Sequence, residues 1–281
     1  MPSLLGKVNL GLQGITYFSL LFPFINLWKI GDSLQVINNG TNYFSSTPAG
    51  SALSPWGVYL DADGELINPL PANTTHLLRI YYSQPADGLP TGYPGRIGES
   101  WVLKWDGDPA LTVSVPLNGI VRVGARLTGT WSTNTSNQSV TFSNFSLTNP
   151  PRNIRLCPAA YEALLDQGEI FSPDYLAMVK RGSGIARFMD WQCTNNNRVN
   201  QTFAGLPTER YCNWGRATAT PGINGGMPVS VMAKLANRAY AHPWVCVPNP
   251  LGIEKFWTVT GVSQTNPCTI AAAGHDFVNG D

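Results

Sequence analysis

The chain of 281 residues suits one large domain or two ordinary ones, and its 43% hydrophobic content is enough for a sizeable core. Only 12% of residues are charged and the net charge is +1, which excludes the charge pattern of proteins that bind nucleic acid or an anionic membrane surface. No stretch reaches the apolar length of a membrane span, so we expect no membrane insertion. The 28 Gly and 22 Pro indicate many turns, and a polar, weakly charged surface with nine Trp suits carbohydrate contact or packed assembly.

Residues 1–33 predict a strand followed by a helix. The strand is Lys7–Leu10, and the helix is Pro23–Lys29, because proline suits the first helical position and Gly31 follows the end. Polar residues and a proline interrupt the apolar segment Ile15–Trp28, so we predict no signal peptide. The helix should bury Phe24, Leu27 and Trp28.

Residues 34–150 predict an antiparallel β-sandwich, because short alternating segments are separated by turn residues. The predicted strands are Leu77–Tyr82, Ser100–Trp105, Leu111–Val115, Ile120–Leu127 and Ser139–Leu147, with a turn at Asn118-Gly119. Asp61–Glu65 begins like a calcium loop but lacks the remaining ligands at the required spacing, so it predicts a plain turn.

Residues 151–257 return to strand–helix units. The predicted elements are a strand at Asn153–Leu156, a helix at Pro158–Asp166, a helix capped by Ser172 that ends near Gly182, a strand at Ile185–Met189, a helix at Pro228–Tyr240 and a strand at Trp244–Val247. We expect Lys7–Leu10 to lie in the same sheet as Asn153–Leu156, with the sandwich inserted between them.

The five cysteines are odd in number and widely spaced, with no Cys-x-x-Cys, so no metal site and no cofactor are predicted. Cys157 and Cys246 lie in or beside apolar strands and should be buried thiols. A disulfide between Cys193 and Cys212 is an open alternative to two free thiols there.

The end of the Ile185–Met189 strand is the predicted site. Ligands bind at the carboxyl ends of strands in α/β sheets, and Asp190 followed by polar residues suits a sugar. The candidate ligand-binding residues are Trp191, Asn195, Trp214 and Arg187. Either tryptophan could stack on a sugar face. Alternatively, Asp190 caps the next turn or pairs with Arg187, and Trp191 belongs to the core.

Several motifs in this order resemble one family. They are Asn9-Leu10, Pro23–Lys29, Leu60–Gly64, Arg187–Trp191 with Thr194-Asn195, Gly226–Pro228, Leu235–Asn237 and Pro243–Pro248. Together they resemble large bacterial and tailed-phage proteins with a glycoside-hydrolase-like (β/α) barrel that carries a β-sandwich after its first strand–helix unit. The resemblance covers most of residues 7–250, and Arg187–Trp191 is its most specific part. It implies an α/β plus all-β fold: a partial (β/α) barrel with an inserted antiparallel β-sandwich.

Two departures from that family concern catalysis. Relatives usually carry a glutamate two residues after the proline of Gly226–Pro228, where this chain has Ser230, and a later Asn-Glu pair is absent. Glycoside hydrolysis normally needs two carboxylates that flank the scissile bond. Asp190 is one candidate, and Glu209 is the only glutamate near it in the sequence.

Residues 258–281 resemble the start of a small β module of phage tail proteins, with strands at Thr258–Val262 and Pro267–Ile270 and a turn that contains His275. The sequence ends at Asp281 before another strand, so we expect a fragment of a longer polypeptide. The predicted units are therefore residues 1–33, 34–150, 151–257 and 258–281.

The resemblance implies a virion structural protein of a tailed bacteriophage, in a tail fibre, spike or tip, assembled in the host cytoplasm. Its expected partners are other tail proteins, further copies of itself and a host-surface polysaccharide. An active glycoside hydrolase that degrades envelope or capsule polysaccharide is the main alternative, and a secreted bacterial glycan-binding protein is the third. The missing glutamates favour a role without catalysis.

Overall fold

The computed structural model describes the chain in separate segments. They are residues 8–12, 23–38, 41–44, 59–72, 74–81, 98–132, 138–188, 191, 208–212, 214, 226–246, 259–262 and 270–272. Within them, the fold combines helices with antiparallel sheets and one small parallel sheet. No helix in the described part of the chain is long and apolar enough to cross a bilayer.

Strands outnumber helices among the elements of the fold. The strands are β1 (Val8–Leu12), β2 (Asp32–Asn38), β3 (Thr41–Phe44), β4 (Thr74–Tyr81), β5 (Ser100–Asp106), β6 (Thr112–Ser114), β7 (Leu117–Val123), β8 (Arg126–Trp131), β9 (Gln138–Ser143), β10 (Arg152–Pro158), β11 (Ser183–Phe188), β12 (His242–Val245), β13 (Val259–Val262) and β14 (Ile270–Ala272). The helices are the 3₁₀ helices Leu27–Ile30 and Ala159–Tyr161 and the α-helices α1 (Glu162–Asp166), α2 (Pro173–Gly182) and α3 (Val229–Ala239).

The small parallel sheet has the order β1-β11-β12, and both strand pairs are parallel. The helix α2 packs on β1 and β11, and α3 packs on β11 and β12. Parallel neighbours need a crossover connection, and here α3 supplies it between β11 and β12. The strand β1 therefore joins two strands from the later part of the sequence, whereas the 3₁₀ helix that follows β1 in sequence packs on β10.

Two antiparallel sheets hold most of the remaining strands, with orders β3-β2-β4-β9-β6 and β10-β5-β8-β7. Their buried aromatic side chains meet in one core. The Trp105 ring on β5 lies edge-on to Phe142 on β9 at a centroid distance of 5.7 Å, and Trp28 lies edge-on to the same Phe142 at 5.9 Å. The last two strands, β13 and β14, form a separate antiparallel pair.

The prediction that Asn153–Leu156 shares a sheet with the first strand is wrong. The strand β10 pairs antiparallel with β5, whereas β1 pairs with β11. Burial on β10 explains the placement: Leu156 contributes to the main core, while Cys157 packs on the opposite side with Val102 and Ile25. The strand β10 lies at the edge of its sheet, and α1 with its preceding 3₁₀ turn packs on β10 and β5.

The segment Ile120–Leu127, predicted as one strand, is instead a hairpin between β7 and β8. Its turn is Gly124-Ala125, where Gly124 adopts a φ of 58° that glycine tolerates without strain. The turn predicted at Asn118-Gly119 is also wrong, because both residues lie inside β7 at a register irregularity. A glycine with positive φ can mark a bulge as well as a turn, and the local sequence does not separate the two.

The helix predictions hold best where capping and periodicity agree. The helix α2 begins at Pro173, and the Ser172 hydroxyl accepts a hydrogen bond from the Tyr175 amide at 3.4 Å. On α3, the predicted apolar stripe is buried. Its members are Val231, Leu235 and Ala239. The helix predicted over Pro23–Lys29 is shorter, since Phe24 instead forms a β-bridge with Phe171.

The described cysteines are thiols. Cys157 is buried as predicted, Cys246 is half-buried, and the Cys212 thiol donates a hydrogen bond to the Gly64 carbonyl at 3.0 Å. Cys193 lies outside the described residues, so the alternative of a disulfide between Cys193 and Cys212 stays a prediction. Burial raises the pKa of Cys157 to about 12. No group of three or more His, Cys, Asp or Glu side chains in the described segments is placed to hold a metal ion.

Candidate functional site

The two tryptophans predicted to bind a ligand both pack against Phe24. The Phe24 ring lies edge-on to Trp191 at 6.1 Å and to Trp214 at 5.3 Å, and Trp191 also contacts Phe188 at 4.9 Å. Only 2% of Trp191 and 4% of Trp214 is exposed. Trp191, three residues beyond β11, therefore belongs to the core, and neither indole presents an open face on which a sugar could stack.

Of the other residues predicted for the site on β11 and the loop beyond it, the structure describes Arg187. Arg187 is exposed on β11, and its guanidinium lies 4.9 Å from the centroid of the Trp244 ring, which is 55% exposed. Asp190 and Asn195 lie outside the described residues, so their roles stay predictions.

Glu209 and Trp214, predicted from separate arguments, line the same cleft. This first cleft has a volume of about 400 Å³. Its wall carries apolar carbon from Phe24 and polar groups from Lys29 and Asn153. An apolar surface with a few convergent polar groups is the usual composition of a small-molecule site.

Lys29 holds the segment that brings Glu209 and Trp214 to the cleft. Its ammonium donates hydrogen bonds to the carbonyl oxygens of Glu209 at 2.8 Å and Tyr211 at 2.9 Å, and it lies 4.2 Å from the centroid of the Trp214 ring. In return, the Trp214 amide donates to the Lys29 carbonyl at 2.5 Å. Burial lowers the pKa of Lys29 to about 8, although the nearby Cys212 and several carboxylates act in the opposite direction.

The Glu209 carboxylate is held in its ionised form by a neighbouring cation. The Lys234 ammonium on α3 lies 2.5 Å from its Oε2, and this hydrogen bond lowers the pKa of Glu209 below its usual range. The ion pair is half-exposed, so solvent screens it and its contribution to stability is small. Its main consequence is an ionised carboxylate at the rim of the cleft whose charge is balanced by Lys234.

A second cleft of about 540 Å³ adjoins the first, and the two share Lys29 and Asn153 in their walls. Glu65 lines this second cleft, and its Oε2 accepts a hydrogen bond from the Asn153 amide at 3.1 Å. Burial raises the pKa of Glu65 above its usual range. The two glutamates therefore lie in clefts that meet at Lys29, with pKa values displaced in opposite directions.

The turn predicted at Asp61–Glu65 builds one wall of the second cleft. The Asp61 carboxylate accepts hydrogen bonds from the amides of Asp63 and Glu65, each at 3.0 Å, and pairs with Arg152 at 2.5 Å. A carboxylate that closes its own turn is a common habit of aspartate. The segment is thus a plain turn, as predicted, and it presents Glu65 rather than a set of calcium ligands.

The sequence missed Lys29, Glu65 and Asn153 as site residues. One signal was present for Lys29, a single cation at the end of a buried apolar segment that must either reach solvent or find acceptors. No local signal could bring residues 29, 65, 153 and 209 together, because their proximity depends on tertiary packing. Comparisons with known protein families, curated protein sequences and solved structures find no match for this chain.

Proposed function

We propose that this chain is a virion structural protein of a tailed bacteriophage that binds a host-surface glycan in the first cleft. The observation that carries the binding proposal is the convergence of Glu209 and Trp214 with Lys29 and Asn153 in one cleft of about 400 Å³. Carboxylate, ammonium and amide groups suit the donors and acceptors of sugar hydroxyls, while the half-buried Leu165 and Ile170 supply an apolar surface in the same wall.

The virion part of the proposal rests on the resemblance to tailed-phage proteins. Three parallel strands flanked by α2 and α3 support a partial (β/α) barrel, and the two antiparallel sheets support an inserted sandwich. The pair β13 and β14 is compatible with the start of a tail-type β module. The proposed location is the tail fibre, spike or tip, with other tail proteins and further copies of the chain as partners.

The binding test uses a panel of purified bacterial surface polysaccharides and the 281-residue chain. We expect at least one polysaccharide to bind, and Glu209→Gln to weaken its binding about tenfold through the loss of one charged hydrogen bond. Asp166→Asn is the matched control: its carboxylate also pairs with a lysine, Lys104 at 2.6 Å, but it lines neither cleft. If the chain binds no polysaccharide of the panel, the glycan proposal is refuted. If the chain is absent from purified phage particles, the virion proposal is refuted.

Active glycoside hydrolysis is the second candidate, and one observation favours it. A general acid must be protonated and its partner ionised. Glu65 has a raised pKa and Glu209 a lowered one, and both clefts border Lys29. Under this alternative Glu65→Gln lowers the release of reducing ends from the bound polysaccharide about a hundredfold or more, whereas Asp166→Asn leaves it unchanged. A wild-type chain that binds polysaccharide without releasing reducing ends eliminates it.

A further inference from the structure

The indole N–H of Trp214 has no hydrogen-bond acceptor in the described part of the chain. The side chain is 4% exposed, and its Nε1 is buried without a partner there. Buried donors are nearly always satisfied, because an unpaired one loses its hydration and gains nothing in return. This donor belongs to a residue that lines the first cleft, where a bound molecule could supply the acceptor.

The ammonium of Lys29 beside it has no carboxylate partner among the described residues. Its contacts are two backbone carbonyls and the face of Trp214, and none of the ion pairs in the described segments includes it. The other charges on the first cleft are paired with carboxylates or cations: Lys234 with Glu209, Arg155 with Asp106, and Glu169 with Arg238. Among the described residues, Lys29 is therefore the cation of this wall that forms no ion pair, although Glu65, Asp63 and Glu209 lie near enough to raise its pKa.

These two features identify what Trp214 can offer a ligand. Lys29 covers one face of the ring and Phe24 meets it edge-on, so the indole is not available as a stacking platform. The group of this side chain that lacks a partner is the buried N–H. The Lys29 ammonium lies 4.2 Å from the centroid of the same ring. A ligand oxygen that accepts a hydrogen bond from the Trp214 N–H would therefore lie near this ammonium. A neutral hydroxyl would satisfy the donor alone, whereas a carboxylate would satisfy the donor and also balance the charge.

We propose that the first cleft recognises a carboxylate-bearing sugar, with one carboxylate oxygen accepting the hydrogen bond of Trp214 Nε1 and Lys29 balancing its charge. This inference rests on the proposed glycan binding and narrows it to acidic glycans. Glu209 does not oppose it strongly, because Lys234 neutralises that carboxylate at 2.5 Å. Burial lowers the pKa of Lys29 although nearby carboxylates act to raise it, and a bound carboxylate would raise it further.

The test compares purified acidic capsular polysaccharides with the same polymers after carbodiimide-mediated reduction of their carboxyl groups to alcohols. We expect the full chain to bind at least one acidic polymer and to lose about tenfold or more in affinity for its reduced form. Equal affinity for the two forms, or binding confined to neutral polymers, overturns the inference while leaving glycan binding intact. Failure of every polymer in both forms refutes the proposed function itself.

Trp214→Phe tests the indole, since phenylalanine keeps an aromatic ring against Phe24 and removes the N–H together with the second ring of the indole. We expect about tenfold weaker binding of the acidic polymer. The matched control is Trp244→Phe, because Trp244 is exposed and lines neither cleft. Unchanged binding by Trp214→Phe overturns the assignment. Where the variant does not fold, the ¹⁵N-labelled indole signal of Trp214 in the wild type replaces it. That signal must shift when an oligosaccharide of the bound polymer is added, and an unmoved signal at saturation overturns the assignment.

Discussion

Phe24 is the side chain on which the architecture of the candidate site depends most. It is 1% exposed, and its ring contacts Trp214 at 5.3 Å, Phe171 at 6.0 Å and Trp191 at 6.1 Å. Truncation of a buried phenylalanine to alanine removes its transfer free energy and leaves a cavity, at a cost of about 3–5 kcal/mol. The three aromatic contacts add about 0.5–1.5 kcal/mol each when isolated, so Phe24→Ala should lie at the upper end of that range.

The assay is urea unfolding of wild type, Phe24→Ala and Phe24→Leu, followed by tryptophan fluorescence and by far-UV circular dichroism. Leucine fills most of the space, so Phe24→Leu should cost about 1–2 kcal/mol, chiefly through the lost aromatic contacts. Glycan binding should weaken in Phe24→Ala, because Trp214 loses the ring that fixes its orientation. A cost below about 1 kcal/mol for Phe24→Ala would refute the placement of this ring at the centre of an aromatic cluster.

Three further predictions concern pH, thiol chemistry and backbone strain. Burial holds the pKa of Lys29 near 8, below its usual value of 10.5, so the unfolded chain binds this proton more tightly. The free energy of unfolding should therefore rise between pH 8 and 10.5. In parallel urea titrations, Lys29→Met should lack that rise. Cys157 should resist alkylation by iodoacetamide in the folded chain and react after unfolding, as peptide mass mapping will show, because it is buried with a pKa of about 12. Gly107→Ala should destabilise the fold by about 2 kcal/mol or more, because φ is 108° and the added Cβ would lie 2.3 Å from the Pro150 carbonyl oxygen. The control Gly168→Ala has a φ of 82° with open space around the added Cβ, so it should cost only about 1 kcal/mol. Equal losses of stability in the two variants would contradict the steric cause.

The sequence predicted elements well where a local interaction decides them. Helix α3 follows from the spacing of Val231, Leu235 and Ala239, and α2 follows from the Ser172 cap before a proline. Strand pairing was harder to predict, because alternation of apolar and polar residues shows which face of a strand is buried but does not show which strand lies beside it. The apolar side chains of β10 fit either sheet by pattern, and its position beside β5 depends on contacts with residues about 50 positions away.

The candidate site could be predicted in part from the sequence, and its tertiary context could not. Glu209 and Trp214 do line one cleft, but both predicted tryptophans are buried around Phe24, where their surrounding polar loops suggested exposure. Polar residues next to a tryptophan in sequence do not show whether its side chain is exposed, because that side chain can pack into the core while its neighbours face solvent. The contribution of Lys29 was invisible for the same reason, since its acceptors are backbone carbonyls about 180 residues away.

The two clefts are mechanically linked through the segment 208–212. The Cys212 amide donates to the Asp63 carbonyl at 2.8 Å and its thiol to the Gly64 carbonyl, so the turn that presents Glu65 also fixes the segment that presents Glu209. Lys29 joins the same segment to the 3₁₀ helix at its other side. A ligand that displaced any one of these contacts would change both cleft walls together. A site built in this way needs the turn, the 3₁₀ helix and the 208–212 segment to be in place at once, because the hydrogen bonds of Lys29 and Cys212 join all three.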